Sequence, residues 1–239
     1  MTTKINFKDF QEIYIFTTGP KEYNSTMLSE FINFLKFHKA RTPYKFSFVG
    51  KDPLLMNELT LNQNIMIDFS ADSLTENKEM QFEEFLAHKE NAHLKELYLQ
   101  IDTVAKLPLY VDTQINKITS LLCALLKEGD FIFLESPEEN LDPKSLAIFI
   151  KALKTQIDIK QQNVFIFSKN IDFWKQHSQK LVFRSQDFKF TTTEIETIHS
   201  LDIVSPLDIT SKIIDAEFST SKNLKNSRPT GKTPKIKIA

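Results

Sequence analysis

The chain predicts an α/β fold, with a mainly parallel sheet, flanking helices and an inserted helical stretch. Three observations predict it. Residues 131–134, Phe-Ile-Phe-Leu, and 163–167, Asn-Val-Phe-Ile-Phe, are short continuous apolar runs, the pattern of strands buried on both faces. The segments between such runs carry apolar residues at helical spacing, which supplies the crossover that parallel strands need. Residues 74–105 break the alternation with a long charged stretch that keeps helical periodicity.

Composition narrows the function classes. At 239 residues and 41% hydrophobic content, with 21 Phe, the chain can build one large α/β core or two small ones. A formal net charge of −1 excludes a field suited to nucleic acid. The single cysteine, Cys123, cannot form an internal disulfide, fits a reducing compartment and lies on an apolar helix face as a small core residue. The first ten residues carry no apolar signal core, and no stretch is long enough to span a bilayer. Membrane association therefore has to run through a partner or the surface.

In order, Ile13–Thr17 is the first buried strand, followed by Gly19-Pro20-Lys21-Glu22-Tyr23-Asn24-Ser25-Thr26 and a helix marked by Met27, Leu28, Phe31, Ile32 and Leu35. Tyr44, Phe46 and Phe48 alternate with polar residues as a second strand. Lys51-Asp52-Pro53-Leu54-Leu55 and Leu59-Thr60-Leu61…Asn64-Ile65 follow. Phe82, Phe85, Leu86, Leu94, Leu97, Tyr98 and Ile101 share one helical face, and His88 and His93 read as residues of a solvated helix rather than metal ligands. Asp112 or Thr113 caps a helix carrying Ile115, Ile118, Leu121, Leu122 and Leu125, and Gly129 suits its C-terminal turn. The strand at 131–134 ends in Glu135, Ser136-Pro137 breaks it, and Asn140-Leu141-Asp142 precedes a helix opened by Pro143. That helix carries Leu146, Phe149, Ile150 and Leu153. A strand ends at Ser168-Lys169, and closing strands fall at 181–183 and 188–190. Residues 191–218 are an amphipathic appendage. The tail from Ser219 has six basic residues, Lys222, Lys225, Arg228, Lys232, Lys235 and Lys237, with no acid, and reads as disordered.

The run from Phe131 to Pro143 resembles the Walker B strand and D-loop of the ATP-binding cassette (ABC) family, with Asp142 seven positions after Glu135. The resemblance covers roughly residues 5–190. It implies a P-loop NTPase-like fold in which residues 1–190 form the ABC ATPase-like domain, with a helical subdomain at about 70–112. It also sets the expected site. Gly19 and Thr26 match the P-loop pattern, while Asn24 replaces its second Gly and Ser25 its Lys. Lys51 replaces the Q-loop Gln, and Asp112-Thr113-Gln114 stand where the signature belongs. Glu135 replaces the magnesium-holding Asp, Ser136 the general-base Glu, and Lys169 the switch His. Gly19, Asn24, Ser25, Thr26, Lys51 and Asp142 are thus a vestigial nucleotide set. With Glu135, Ser136 and Lys169 changed, no catalytic residue is expected. Phe7 or Phe10 could supply an adenine-stacking ring, although core packing accounts for both.

The resemblance therefore implies a catalytically inactive, pseudo-ATPase subunit of a membrane transport complex. It would act structurally with a transmembrane permease, an active ATPase subunit, or both, on the inner face of the cytoplasmic membrane. Lys51, Leu54, Leu55 and the 80–101 helices would form the partner groove. No cofactor or metal is expected, and ATP with magnesium enters only if residual binding survives. The basic tail is either a solvated tail or a tether to anionic membrane or an acidic partner. Two alternatives stay open: a divergent, weakly active ATPase using Lys51 or Lys169, and a soluble regulatory or scaffold protein.

Overall fold

The computed structural model describes residues 12–17, 27–38, 43, 45–69, 78–178, 180–184 and 190–195. The expected phosphate loop with Gly19, Asn24, Ser25 and Thr26, the aromatic residues Phe7 and Phe10, the appendage beyond residue 195 and the basic tail lie outside them.

Six strands form one sheet among the described residues: β1 (Ile13–Thr17), β2 (Phe46–Val49), β3 (Phe131–Glu135), β4 (Asn163–Phe167), β5 (Lys180–Arg184) and β6 (Phe190–Glu194). Their order is β2-β3-β4-β1-β5-β6; β1 to β5 pair in parallel and β6 closes the sheet antiparallel to β5. The helices are α1 (Met27–Phe37), α2 (Leu61–Phe69), α3 (Lys78–Ala87), α4 (Ala92–Tyr98), α5 (Thr113–Leu126), α6 (Pro143–Lys160) and the short α7 (Ile171–Trp174). The mixed, mostly parallel sheet with flanking helices is the expected fold class. β6 runs to Glu194, so residues 191–194, read from sequence as the start of an appendage, belong to the sheet. Their Thr-rich alternation suits an edge strand better than an amphipathic helix.

Strand periodicity sorts the core. Tyr14, Phe16, Phe131, Phe133 and Phe165 project to one side and pack with Phe31, Phe34 and Leu35 of α1. Ile13, Ile15, Ile132, Leu134, Val164 and Ile166 project to the other and pack under α5 and α6. Both faces are covered, so the strands are continuous apolar runs. β2 is the exception that the alternation misplaces: Phe46 and Phe48 are only half-buried, and Ser47 and Val49 are the enclosed pair. An edge strand keeps its inner face against α5 while its aromatic face meets only the margin of the α1 layer.

Helix ends are satisfied locally. Asp112 caps α5, accepting from the Ile115 amide at 2.7 Å, and Asp142 caps α6, accepting from the Ser145 amide at 2.7 Å. Gln156 and Lys160 of α6 donate to the Leu125 carbonyl at the end of α5, at 3.0 and 2.8 Å. Gly129 is not in the left-handed region. Its requirement is close approach, since a Cβ there would lie 3.0 Å from the Lys45 carbonyl oxygen. The apolar face read across 82–101 is the buried one: Phe82, Leu86, Leu94, Leu97 and Ile101 are all enclosed. His93 departs from the solvated reading. It is buried where α4 meets α6, with Nε2 2.8 Å from Gln156 Oε1.

Candidate functional site

The sheet order fixes where a site can lie. From β1 the chain crosses one way to β2, and from β4 it crosses the other way to β5. The C-terminal ends of β1 and β4 therefore flank the reversal point at which open α/β sheets bind ligands. Gly50-Lys51 follow β2, Glu135-Ser136 end β3, and Ser168-Lys169 follow β4 along the same edge.

At the β3 end the backbone turns sharply. Ser136 is buried with φ of 45°, and its amide donates to the Phe167 carbonyl at 2.7 Å. Asn140 follows at φ of 65°, a conformation Asn tolerates. Two carboxylates in this loop point to different neighbours. Glu139 pairs with Lys51 Nζ at 3.0 Å and takes a hydrogen bond from Ser136. The Lys51 bond holds the Glu139 carboxyl below its ordinary range. Glu138 accepts from the Ser168 hydroxyl and from Trp174 Nε1, the latter at 2.9 Å, so it ties the loop to β4 and α7.

Beneath this loop lies a fully buried ammonium. Lys117 Nζ donates to the carbonyls of Gly50 and Lys51, both at 2.9 Å, and of Glu135 at 3.4 Å. It spends its three protons on the ends of two neighbouring strands. Burial pushes its pKa down to about 8, against the opposing pull of Glu138, Glu139, Asp52 and Glu135. Beside it, Gln114 Nε2 donates to Asp142 Oδ2 at 2.7 Å, and the Asp142 amide returns a bond to Gln114 Oε1 at 3.1 Å. The capping bond from Ser145 and the Gln114 bond hold the Asp142 carboxyl below its ordinary range.

No protein-family model matches the chain, and no curated protein matches it by sequence. Solved structures do. The ATP-binding subunit of an ABC transporter superposes with a TM-score of 0.59 at 14% identity, over 84% of this chain and 88% of that one. A bacterial ABC transporter cassette solved as a dimer gives 0.52 at 14%, over 72% and 81%. An inward-facing transporter described as of metal-chelate ABC type gives 0.55 at 13%, over 84% and 78%.

The chain has the ABC ATPase-like fold.

Within that fold the expected site residues fall as follows. Lys51, Glu135, Ser136, Asp142 and Lys169 are described; the first three gather around Lys117 and Glu139, and Lys169 is exposed after β4. Gln114 reaches Asp142 directly, and Asp112 is the helix cap that the sequence implies. The groove residues separate. Leu54 is 82% exposed, whereas Leu55 packs against the core. α4 packs on α5 and α6, and the residues that share a cavity lining with Leu54 and Leu55 come from β2, α2 and α5. Sequence reasoning missed Lys117, although a lone charge one turn before Leu121 on an apolar helix face was a usable signal. It also missed the roles of Glu138 and Glu139. Among the described residues, no group of three or more His, Cys, Asp or Glu could hold a metal ion, and no helix is long and apolar enough to cross a membrane.

Proposed function

We propose that this chain is a nucleotide-silent, structural subunit of an ABC-type transport complex, partnering a transmembrane permease, an active ATPase subunit, or both. One observation carries the reading. Among the described residues, several polar groups at the sheet edge are spent on one another: Lys51 on Glu139, Ser168 on Glu138, Gln114 on Asp142 and Lys117 on three carbonyls. Charge committed to internal pairs is not preorganised toward a phosphate. The sequence adds that Ser25 stands in the place of the phosphate-binding Lys, and Ser136 in that of the general base. The neighbours named as transporter subunits support the transport setting. Exposed Leu54 and Met56 offer an apolar contact for a membrane partner, which would hold the chain at the inner face of the membrane.

Titration of the full chain with a fluorescent ATP analogue and magnesium tests the silent reading. No saturable binding and no turnover are expected, and the double change Asn24→Gly with Ser25→Lys is expected to leave turnover absent because Ser136 cannot activate water. Micromolar binding with measurable hydrolysis would favour the weakly active ATPase instead. The partner reading is tested by Leu54→Asp, which alters an exposed side chain. Recovery with membranes is expected to fall while the folded state persists; Leu55→Asp is the poorer test because Leu55 packs on the core. Wild-type protein recovered wholly without membranes would end the transport reading.

A further inference from the structure

The segment from Gly50 to Met56 contains neither helix nor strand, yet its backbone is held at both ends. β2 ends at Val49, and the next two carbonyls, of Gly50 and Lys51, each accept from Lys117 Nζ at 2.9 Å. The same ammonium lies 3.4 Å from the Glu135 carbonyl, so the start of the segment is tied to the end of β3. At the far end stands Asn64 of α2, more than nine-tenths buried. Its Oδ1 accepts from the Met56 amide at 2.8 Å, and its Nδ2 donates to the Met56 carbonyl at 3.1 Å. Between the two clamps Pro53 restricts the chain and Leu55 packs against the core. Leu54 and Met56 are left facing outward, 82% and 54% exposed.

We infer that Lys117 and Asn64 are positioning residues: they preorganise residues 50–56 so that the membrane partner meets Leu54 and Met56 on a backbone already fixed. An unclamped loop with the same side chains would lose backbone freedom on binding, and that loss would weaken the contact. Placing a fully buried ammonium at position 117 is costly, and an aliphatic side chain would continue the apolar face of α5 without that cost. What the charge supplies in return is a fixed path for the chain as it leaves β2. The inference rests on the transport reading and adds to it the residues that shape the contact.

Hydrogen exchange and membrane binding of the full chain test the clamp and its purpose separately. In Lys117→Met and Asn64→Leu, amide exchange across residues 50–60 is expected to quicken by about tenfold or more, with exchange in β4 unchanged. Both variants are expected to bind everted vesicles of the native cytoplasmic membrane about tenfold more weakly, because the freed backbone has to be ordered on contact. Leu153→Ala, a core change in α6, controls for lost stability alone and is expected to match the wild type in both measurements. Asn64→Leu carries the test by itself if Lys117→Met does not fold. Unchanged exchange across 50–60 in the folded variants would overturn the clamp. Faster exchange with unaltered vesicle binding, or equal weakening in Leu153→Ala, would overturn its role at the contact and leave the transport reading standing. Wild-type protein that does not bind the vesicles would instead end the transport reading and this inference with it.

Discussion

The two faces of the sheet are built from different materials, and the difference follows from what covers them. The face under α5 and α6 is mainly aliphatic, with Ile13, Ile15, Ile132, Leu134, Val164, Ile166 and Leu181, and Phe183 as its aromatic strand residue. Several helices share that cover, so branched side chains of moderate size interdigitate and fill the layer. The opposite face is aromatic, and α1 is the one helix over it among the described residues. A single helix is narrow, so the side chains must supply the breadth, and each aromatic ring buries about 150–250 Å². Phe31 stacks on Phe133 at 4.5 Å, Phe16 meets Phe133 edge-on at 5.7 Å, and Phe34 meets Phe165 at 5.0 Å. Among the described residues, these rings fill the layer between the sheet and α1.

Exchanging the materials is the strongest way to break the comparison. Phe133→Leu leaves a void on the α1 side, and Leu134→Phe overpacks the α5 side. The double variant conserves composition but inverts both faces, and it is expected to lose about 3–5 kcal/mol, because cavity and overpacking costs on opposite faces add. Urea unfolding monitored by circular dichroism measures it. A neutral double variant would mean that the faces are interchangeable.

Next in size is the ion pair that ties α1 to β5. Glu30 of α1 is buried and accepts from Arg184 Nη1 at 2.6 and 2.5 Å, and Arg184 lies over the Phe190 ring. Glu30→Ala removes the carboxylate that both Arg184 Nη1 contacts reach and is expected to cost about 3 kcal/mol. Changing both residues to Met is expected to recover most of it, since a buried pair repays little more than its own desolvation. If Glu30→Ala costs no more than an exposed substitution, the pair does not fasten α1.

The aliphatic face was the more legible of the two in the sequence. Its strands and helices carry regular apolar periods, and the buried sets read at 115–125 and 146–153 are close to those enclosed in the structure. The edge strand was less legible, because alternation identifies a strand without saying which phase faces inward when both faces carry cover. The placing of the edge was legible, since Lys51 follows β2, Glu135 ends β3 and Asp142 caps α6. Its pairings were not. That Lys51 meets Glu139 and Gln114 meets Asp142 depends on side chains distant in sequence, and Lys117 was hidden because a charge on an apolar face reads as a solvated interruption.

Lys117 itself sharpens the contrast, as the charge buried beneath the aliphatic side of the edge. Lys117→Met keeps the apolar stem but leaves the Gly50, Lys51 and Glu135 carbonyls short of a donor. A net loss of about 2 kcal/mol is expected, the unpaired acceptors outweighing the relief of a buried charge. The pH dependence has a definite sign. Its folded pKa of about 8 lies below the ordinary lysine value, so between those limits the unfolded chain holds more protons. This residue's contribution to stability therefore rises as pH climbs from about 8, and Lys117→Met is expected to remove that rise. Parallel profiles for the two proteins would refute the assignment.

The smallest expected effect falls on the aromatic side and in a different pH window. His38 follows α1 and its ring packs edge-on against Phe34 and Phe37, at 4.8 and 4.9 Å. Burial lowers its pKa to about 4, below the ordinary histidine value. Between pH 4 and the ordinary value of about 6.5 the unfolded chain therefore holds more protons, and the contribution of His38 to stability falls as pH drops through that window. The depressed carboxyls of Glu139 and Asp142 also favour the folded state at higher pH, but their contribution is lost lower, as pH falls below the ordinary carboxylate range. Urea midpoints at pH 7 and pH 5 (about the middle of the histidine window) separate the two sources. His38→Leu is expected to flatten the change between those pH values and to leave acid unfolding at lower pH in place. An undiminished change in the variant would assign the pH sensitivity to another group.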